Sequence, residues 1–340
     1  MVTMTLRSYD EAVDHALAQA MAADDRVVTW GEDAQLIRRD LLARFGPERV
    51  RDAPISESAF LYAGVGAAMA GLRPVVELYM VDFVAVGWSA LLNGAAKFTD
   101  FSGGTWPVPL VVRAGYGGWY GDGGQHEQAL WGALAACPST AVVVPSTPAD
   151  AAGLMLATLD SEGFAIFLTP KLLDRQMLDY LGGTSRPTVD LATVLPEEAA
   201  CGEVPDPVSS LPLGQAALRR DGADVLLVSV GVGVHRCLEA ADTLAQSGID
   251  ASVLDLRTVS PLDREAIVTH ALRTGRVVVA DEDYAWGGLT GEVAALLMES
   301  GSPVKYARVG VEHTIPFAPH REYAALPNPR RIVAAARRLE

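Results

Sequence analysis

The chain has 340 residues, half of them hydrophobic, and this length predicts two domains with separate interiors. Its formal net charge of −15 excludes a nucleic-acid phosphate surface as a partner, because no cluster of Lys and Arg offsets that charge. The three cysteines, Cys137, Cys201 and Cys237, show no metal-ligand spacing. Without a signal sequence or a bilayer-spanning apolar run, the chain is predicted to be cytoplasmic.

Apolar strands alternate with helices through the first half of the chain. Residues 1–21 predict an amphipathic helix. Strands are predicted at 27–30, 74–80, 109–113, 141–144 and 165–168, and helices at 59–70, 82–98 and 148–159. Gly71 is predicted to end the helix at 59–70. Strands separated by helices of this length indicate βαβ units, and therefore a parallel sheet with right-handed crossovers and helices on both faces.

The composition changes near residue 172, where a proline-rich, acidic stretch begins. It lacks sustained periodicity and predicts a linker that runs along the surface of the first domain. A second α/β pattern follows, with strands at 224–230, 251–256, 277–281 and 304–309 and helices at 234–246, 262–274, 290–298 and from 329. We therefore predict two doubly wound α/β domains in series, 1–175 and 214–340, joined by a linker at 176–213.

A carboxylate stands where a short extended segment turns into a helix. Pro54 disfavours helix just before it, so Ser56 and Glu57 lie at the turn. Ligands of open parallel sheets bind beyond the carboxyl ends of strands, which favours a functional role for Glu57. The simpler interpretation is that Ser56 caps the helix while Glu57 complements its positive end. The next residues, 63–71, are nearly all Ala and Gly, which indicates tight sheet packing or a subunit interface.

Motifs along nearly the whole chain resemble the beta subunits of 2-oxoacid dehydrogenases of the pyruvate, branched-chain and acetoin type. They are GED at 31–33, RFGPERVRDAPISE at 44–57, GAAMAGLRPVVE at 66–77, NGAAK at 93–97, SGG at 102–104, PVPLVVRAGYGG at 107–118, QH at 125–126, VVVPSTPADAAGL at 142–154, LDLRTVSPLD at 254–263 and GGLTGEVAALL at 287–297. The resemblance implies a transketolase-like pyrimidine-binding domain followed by a transketolase C-terminal domain, and thiamine diphosphate as cofactor.

The resemblance also assigns roles to individual residues. Glu57 matches the family glutamate that shares a proton with N1′ of the thiamine pyrimidine, which lets N4′ remove the thiazolium C2 proton. Phe83 matches the aromatic residue that stacks on the pyrimidine, although its position alone would suit a core residue. Ile55 matches the residue whose backbone touches the ring, and Glu32 falls in the cofactor region or serves as a cap or interface acid. His126 matches the histidine that binds the substrate carboxylate or shuttles a proton.

The residues 121–123 spell GDG, the start of the motif that binds Mg²⁺ and the diphosphate. That motif needs a later Asn to complete octahedral oxygen coordination, and neither Asn93 nor Asn328 has the required spacing. We interpret this GDG as a loop coincidence, so the resemblance implies an alpha subunit that carries the GDG…N motif and Mg²⁺, in an assembly of two alpha and two beta chains.

Family members also hold a monovalent cation, K⁺ for example, through backbone carbonyls. The matching positions are Leu110, Thr158 and Leu159, but the nearby family Asp is replaced here by Ser161. A second departure is Glu127, which follows His126 where the family commonly has Ser.

Three hypotheses for the function remain open. The first is oxidative decarboxylation of a 2-oxoacid with acyl transfer to a lipoyl carrier on a partner acyltransferase. The second is a carboligase or split transketolase-like subunit that passes the acyl group to an aldehyde or ketone, which the acidic residue beside His126 keeps open. The third is a non-catalytic scaffold. No strand–GxGxxG–helix or Walker motif supports a stand-alone nucleotide-binding enzyme.

Overall fold

The computed structural model describes residues 2–119, 121–174 and 197–340. These residues form two α/β units in series, each around its own mostly parallel sheet, which confirms the predicted fold class. No helix among these residues has the length and apolarity needed to cross a membrane.

The strands and helices are numbered in chain order within the described residues. The strands are β1 (Thr3–Ser8), β2 (Val27–Gly31), β3 (Val50–Asp52), β4 (Arg73–Leu78), β5 (Val111–Tyr116), β6 (Thr140–Val143), β7 (Phe164–Pro170), β8 (Cys201–Asp206), β9 (Ala217–Arg220), β10 (Val225–Ser229), β11 (Ala251–Asp255), β12 (Thr258–Ser260), β13 (Arg276–Tyr284) and β14 (Lys305–Val311). The helices are α1 (Tyr9–Ala23), α2 (Ala34–Ile37), α3 (Arg39–Phe45), α4 (Glu57–Met69), α5 (Phe98–Phe101), α6 (Trp131–Ala135), α7 (Pro148–Asp160), α8 (Glu197–Ala200), α9 (Val232–Ala245), α10 (Arg264–Thr274), α11 (Leu289–Glu299), α12 (Pro319–Ala325) and α13 (Pro329–Arg337).

The larger sheet has the strand order β12-β6-β7-β5-β4-β2-β3 in the described part of the chain. All neighbours are parallel except β12, which comes from the second half of the chain and pairs antiparallel with β6. The chain runs from β5 across β7 to β6 and back to β7, as a doubly wound sheet requires. The second half of the chain therefore completes the edge of the first sheet.

Neighbouring valines on the strands face opposite sides of this sheet. Val75 and Val111 pack with α1 and α7 on one side, whereas Val76 and Val112 pack with α4 on the other. This alternation follows from the two-residue period of a strand, and burial on both faces explains why these strands are continuously apolar. The core on the α4 side continues into the second unit through Leu226 and its neighbours, so the two units share one hydrophobic core.

The second sheet has the order β14-β13-β10-β11-β9. Its strands are parallel except β9, an antiparallel edge strand that the sequence pattern did not predict. Helices α9 and α13 cover one face of this sheet, where Val225 and Leu227 meet Ile332. The predicted helices and strands of this half all form, with bounds that shift by up to three residues.

Two predicted elements differ from the structure. Residues 3–8 are the strand β1, because Ser8 with Glu11 forms a capping box that starts α1 only at Tyr9. The predicted single helix at 82–98 was wrong: the chain forms a 3₁₀-helix (Val81–Ala85), a π-helical segment (Ala90–Ala95) and α5. Gly87 lies in the turn between the first two of these segments and packs against Leu61 of α4, so a side chain at this position would require Leu61 to move.

The described part of the predicted linker follows the first domain, as expected. Strand β8 pairs antiparallel with β1 from Cys201 to Asp206, and Val204 and Val208 are buried against the core beside α1. The pairing itself was not predicted, because a short strand that contains Pro205 and is followed directly by Pro207 has no clear period. Residues 175–196 of the linker lie outside the described residues.

Candidate active site

The five candidate site residues lie after the carboxyl ends of four adjacent parallel strands. Glu32 follows β2, Ile55 and Glu57 follow β3, Phe83 lies in the 3₁₀-helix after β4, and His126 lies in the long loop after β5. These strands are neighbours in the order β5-β4-β2-β3. Their carboxyl ends therefore meet at one edge of the sheet, where open α/β folds bind ligands.

Glu57 is the first residue of α4 and is half-buried. The predicted cap by Ser56 is absent: Ser56 occupies the N-cap position, but its hydroxyl donates to the carbonyl of Pro54 at 2.9 Å. Ser58 Oγ donates to the carbonyl of Val86 at 2.6 Å, which ties the start of α4 to the segment that follows Phe83. The start of α4 and the 3₁₀-helix therefore form one wall.

Glu32 and Glu57 are close enough to interact electrostatically. Burial raises the pKa of Glu32 above the ordinary range, and the charges of Asp33 and Glu57 raise that pKa further. Among the described residues, neither carboxylate forms an ion pair with a basic side chain, and both residues follow strands that end at the same sheet edge. A ligand with basic ring nitrogens would reduce this repulsion, because hydrogen bonding to a carboxylate favours its charged form.

Phe83 and His126 are in contact. Their ring centroids are 5.5 Å apart and the ring planes are nearly perpendicular at 84°. Asp82 precedes Phe83, and its Oδ1 accepts two hydrogen bonds from Gln128. The side-chain amide of Gln128 donates at 2.8 Å and the backbone N–H of Gln128 at 3.3 Å. The other oxygen, Oδ2, is buried without a hydrogen-bond partner among the described residues, and burial raises the pKa of Asp82.

His126 belongs to a glycine-rich loop, residues 117–128, of which residue 120 lies outside the description. The loop is closed at its base, where the N–H of Gly117 donates to the carbonyl of Gln128 at 3.3 Å. Glu127 is buried and accepts hydrogen bonds from the N–H groups of Asp122, at 3.1 Å, and Gly123, at 2.9 Å. The GDG sequence thus lies in the irregular part of this loop directly before the turn at 124–126, and Glu127 binds its backbone.

The second domain supports the same loop from behind. The N–H of Gly124 donates to the carbonyl of Ile315 at 2.9 Å, and the N–H of Trp119 donates to the buried carboxylate of Glu322. The indole N–H of Trp119 also donates to Glu282 at 3.2 Å. These supports were not predicted. The acidic run at 281–283, directly after the apolar residues of β13, was the available signal.

Two of the three carbonyl groups assigned by resemblance to a monovalent cation, those of Leu110 and Leu159, accept hydrogen bonds from the protein. The carbonyl of Leu159 accepts from Arg73 Nε at 2.9 Å and Nη2 at 2.6 Å, and Nη2 also reaches the carbonyl of Ser161 at 2.5 Å. The carbonyl of Leu110 accepts from the N–H of Ala165 at 2.9 Å. Because a guanidinium group already supplies positive charge at the carbonyl of Leu159, that oxygen does not fit the role of a metal-cation ligand.

An apolar surface borders the candidate site. Ile55 is 72% exposed, and the outer face of α4 shows Tyr62, Ala63 and Gly66 to solvent. A cavity of 370 Å³ lies beside this face, between α4 and the residues around Trp30. Exposed apolar side chains grouped in this way are typical of a surface that contacts another chain or a ligand.

Sequence and structure comparisons place the chain among known proteins. Residues 7–176 match the family model of the transketolase pyrimidine-binding domain, and residues 214–332 match that of the transketolase C-terminal domain. The chain is 35% identical to the 2-oxoisovalerate dehydrogenase subunit beta of Bacillus subtilis, over 99% of both chains. It is 34% identical to the acetoin:2,6-dichlorophenolindophenol oxidoreductase subunit beta of the same organism, over 96% of this chain and 95% of the relative.

Further comparisons agree. The identity is 35% with the pyruvate dehydrogenase E1 component subunit beta-1, mitochondrial, of Arabidopsis thaliana, over 98% of this chain and 89% of the relative. Among solved structures, a split-gene transketolase described as an inactive beta4 tetramer superposes with a TM-score of 0.78 at 22% identity, covering 98% of both chains, and shows the same fold. The chain therefore belongs to the family of 2-oxoacid dehydrogenase beta subunits, which combine a transketolase pyrimidine-binding domain with a transketolase C-terminal domain.

Proposed function

We propose that this chain is the beta subunit of a thiamine-diphosphate-dependent 2-oxoacid dehydrogenase. With an alpha subunit, it decarboxylates a 2-oxoacid and transfers the acyl group to a lipoyl carrier. The observation that supports this most directly is the convergence of Glu32, Ile55, Glu57, Phe83 and His126 on one sheet edge. That edge adjoins an exposed apolar surface suited to a second chain.

The residues present fit the pyrimidine half of the cofactor. Thiamine diphosphate supplies the nucleophilic carbon and the electron sink that decarboxylation needs. Glu57, half-buried at the start of α4, would hold a proton at the pyrimidine N1′ when the cofactor is bound. Phe83 supplies an aromatic face, and Ile55 offers its backbone to the ring. Glu32 adds a second acidic group whose pKa is already raised.

His126 acts on the substrate side of the same site. Its imidazole contacts Phe83 edge to face, so its orientation is linked to the aromatic wall. An imidazole exchanges protons near neutral pH and donates hydrogen bonds when protonated. His126 therefore binds the carboxylate of the 2-oxoacid or passes a proton to the acyl acceptor. Glu127 bonds the backbone of its own loop, which leaves the channel function to the histidine.

The partner we propose is an alpha subunit that carries a GDG…N motif, binds Mg²⁺ and holds the diphosphate. Two alpha and two beta chains assemble, with the face of α4 and Ile55 at the contact between chains. The other partner is a lipoyl acyltransferase or its lipoyl domain. We keep the domain limits 1–175, 176–213 and 214–340 as part of this proposal. A cytoplasmic location agrees with the free thiols of Cys137, Cys201 and Cys237.

The dehydrogenase reading is favoured over the carboligase reading. The beta-subunit relatives named above at 34–35% identity are dehydrogenases or an oxidoreductase, whereas the transketolase likeness at 22% identity shows only the fold. The acidic residue that raised the alternative, Glu127, is buried with its hydrogen bonds directed into the loop. Its position gives no support to a changed acceptor.

The test is turnover of the purified alpha–beta complex with a panel of 2-oxoacids, using free lipoyl domain and then aldehydes as acceptor. Glu57→Gln removes the exchangeable proton and should lower kcat by about 10²–10⁴-fold, the usual contribution of a positioned acid or base. Glu239→Gln, an exposed acid on α9, is the matched control and should leave turnover unchanged. Full turnover by a correctly assembled Glu57→Gln complex would support the non-catalytic scaffold.

A further inference from the structure

A buried lysine lies behind His126. Lys171 follows β7 directly, is 1% exposed, and donates from Nζ to the backbone carbonyl of His126 at 2.5 Å. Its own backbone N–H donates to the carbonyl of Tyr116 at 3.0 Å, which extends the pairing of β7 with β5. The lysine is therefore anchored in the rigid sheet, while its ammonium group reaches into the loop.

Carboxylates that bind the same loop surround this ammonium group. Glu127, Asp82, Asp122 and Glu322 all act on Lys171 electrostatically and favour its charged form, whereas burial lowers its pKa. Glu127 bonds the backbone of Asp122 and Gly123, and Asp82 bonds Gln128. The loop is thus held at three points: Asp122 and Gly123 by Glu127, His126 by Lys171, and Gln128 by Asp82. The buried ammonium group of Lys171 interacts electrostatically with both of these acids.

We propose that Lys171 is a positioning residue for His126, fixing its backbone so that the imidazole keeps its edge-to-face contact with Phe83. This inference rests on the proposed function of His126. Lys171 donates a hydrogen bond to the backbone carbonyl of His126 and affects the reaction only through the position of that histidine. A glycine-rich loop has many accessible backbone conformations, so without such an anchor the imidazole would sample many positions.

The physical reason for a lysine lies in the desolvation of the cluster. Buried acids are tolerated when a cation pairs with them, and removing that cation leaves their charges uncompensated. A neutral donor could bond the carbonyl of His126 but could not balance Glu127 and Asp82. The lysine therefore does two things at once: it donates a hydrogen bond to the carbonyl of His126, and it places a positive charge among the acids whose carboxylates accept hydrogen bonds from the loop.

The experiment is a double-mutant cycle in the alpha–beta complex with Lys171→Met and His126→Ala, measuring kcat and KM for the 2-oxoacid. Lys171→Met alone should lower kcat/KM by about 10- to 100-fold, the effect of a misplaced catalytic group. In the His126→Ala background the same change should cost less than about 3-fold, because a positioning residue has nothing left to position. An equal loss in both backgrounds would overturn the proposal.

Two further measurements separate positioning from a general loss of folding. Amide hydrogen exchange of residues 121–128 should speed up by about 10-fold in Lys171→Met, while α11 in the second domain stays unchanged. Lys171→Arg, which keeps the cation, should retain more activity than Lys171→Met. If Lys171→Met does not assemble, Lys171→Gln, which removes the charge but keeps an N–H donor, is used in the cycle instead. Unchanged loop exchange together with unchanged kcat/KM in that variant would overturn the proposal.

A matched control is available on β14. Lys305 also donates from Nζ to backbone carbonyls, those of Leu339 and Glu340, both at 2.8 Å, but far from this loop. Lys305→Met should leave kcat and KM unchanged. If Glu57→Gln and His126→Ala both keep full turnover, the proposed function fails. If those two variants are impaired but Lys171→Met is not, only the role of Lys171 fails.

Discussion

Arg73 provides the most direct test of how the buried carboxyl end of helix α7 is stabilised. Its guanidinium donates twice to the carbonyl of Leu159 and once to that of Ser161, at the carboxyl end of α7. A cation is favourable there because of the helix dipole. In Arg73→Met the hydrophobic stem remains, but both carbonyls lose a charged donor in a site where Arg73 is only 7% exposed.

The expected loss follows from these contacts. A hydrogen bond to a charged group contributes about 1.5–3 kcal/mol, and the three bonds share two acceptors, so they are not additive. The ion pair with Glu162 adds little because that carboxylate is 71% exposed. We expect Arg73→Met to lose about 3 kcal/mol. At about 2–4 °C per kcal/mol for a domain of this size, Tm falls by about 6–12 °C.

The assay is thermal unfolding of the assembled alpha–beta complex in KCl and in choline chloride at equal ionic strength. The native protein should have the same Tm in both salts, because the guanidinium already occupies the carbonyls. Arg264→Met is the control, since Arg264 pairs with Glu292 and Glu299 on an exposed surface and should change stability by about 0–1 kcal/mol. A native protein stabilised specifically by K⁺, or an Arg73→Met variant with native Tm, would refute the reasoning.

Two other variants test the partner surface and the acidic cluster. Ile55→Asp should weaken association with the alpha subunit by about tenfold or more, because burying an Ile side chain contributes about 1.5–3 kcal/mol. The Tm of the isolated beta chain should stay unchanged, since Ile55 is exposed there. An unchanged affinity for the alpha subunit in sedimentation would contradict this prediction. Burial and the charge of Asp283 raise the pKa of Asp281 to about 8, so the folded state binds a proton that the unfolded state has already lost. The native protein should therefore lose stability relative to Asp281→Asn as pH rises from about 4 to about 8, at up to about 1.4 kcal/mol per pH unit. Parallel stability–pH curves for the two proteins would show that this carboxyl group does not titrate as the structure implies.

The order of most strands and helices was predictable because the central strands of the sheets are buried on both faces. Such strands contain runs of Val and Leu, as at the start of β5 and through most of β10, and the helices between them have a recognisable period. The candidate residues Glu57 and His126 were predictable for a different reason. They stand in motifs that resemble a known family, and their positions after strands place them at the ligand-binding edge.

The local sequence pattern did not predict the elements whose structure depends on contacts with other segments of the chain. The helix predicted at 82–98 is divided into shorter segments, and at the turn between two of them Gly87 packs against Leu61 of α4, a contact that the local pattern does not record. Strand β8 formed because β1 lay beside it, although its own period is weak. Arg73 and Lys171 had no recognisable signal beyond a basic residue at a strand end, since their roles depend on which carbonyls the fold brings within reach.

The sequence by itself therefore determined the fold class, the order of the two domains and the family-like residues at the sheet edge, because burial and strand position leave a record in the local pattern. Only the tertiary structure decided how charge is balanced inside the protein. Arg73 takes the carbonyls at the end of α7, and Lys171 takes the carbonyl of His126. Pairings of this kind depend on distance in space, which no spacing along the chain records.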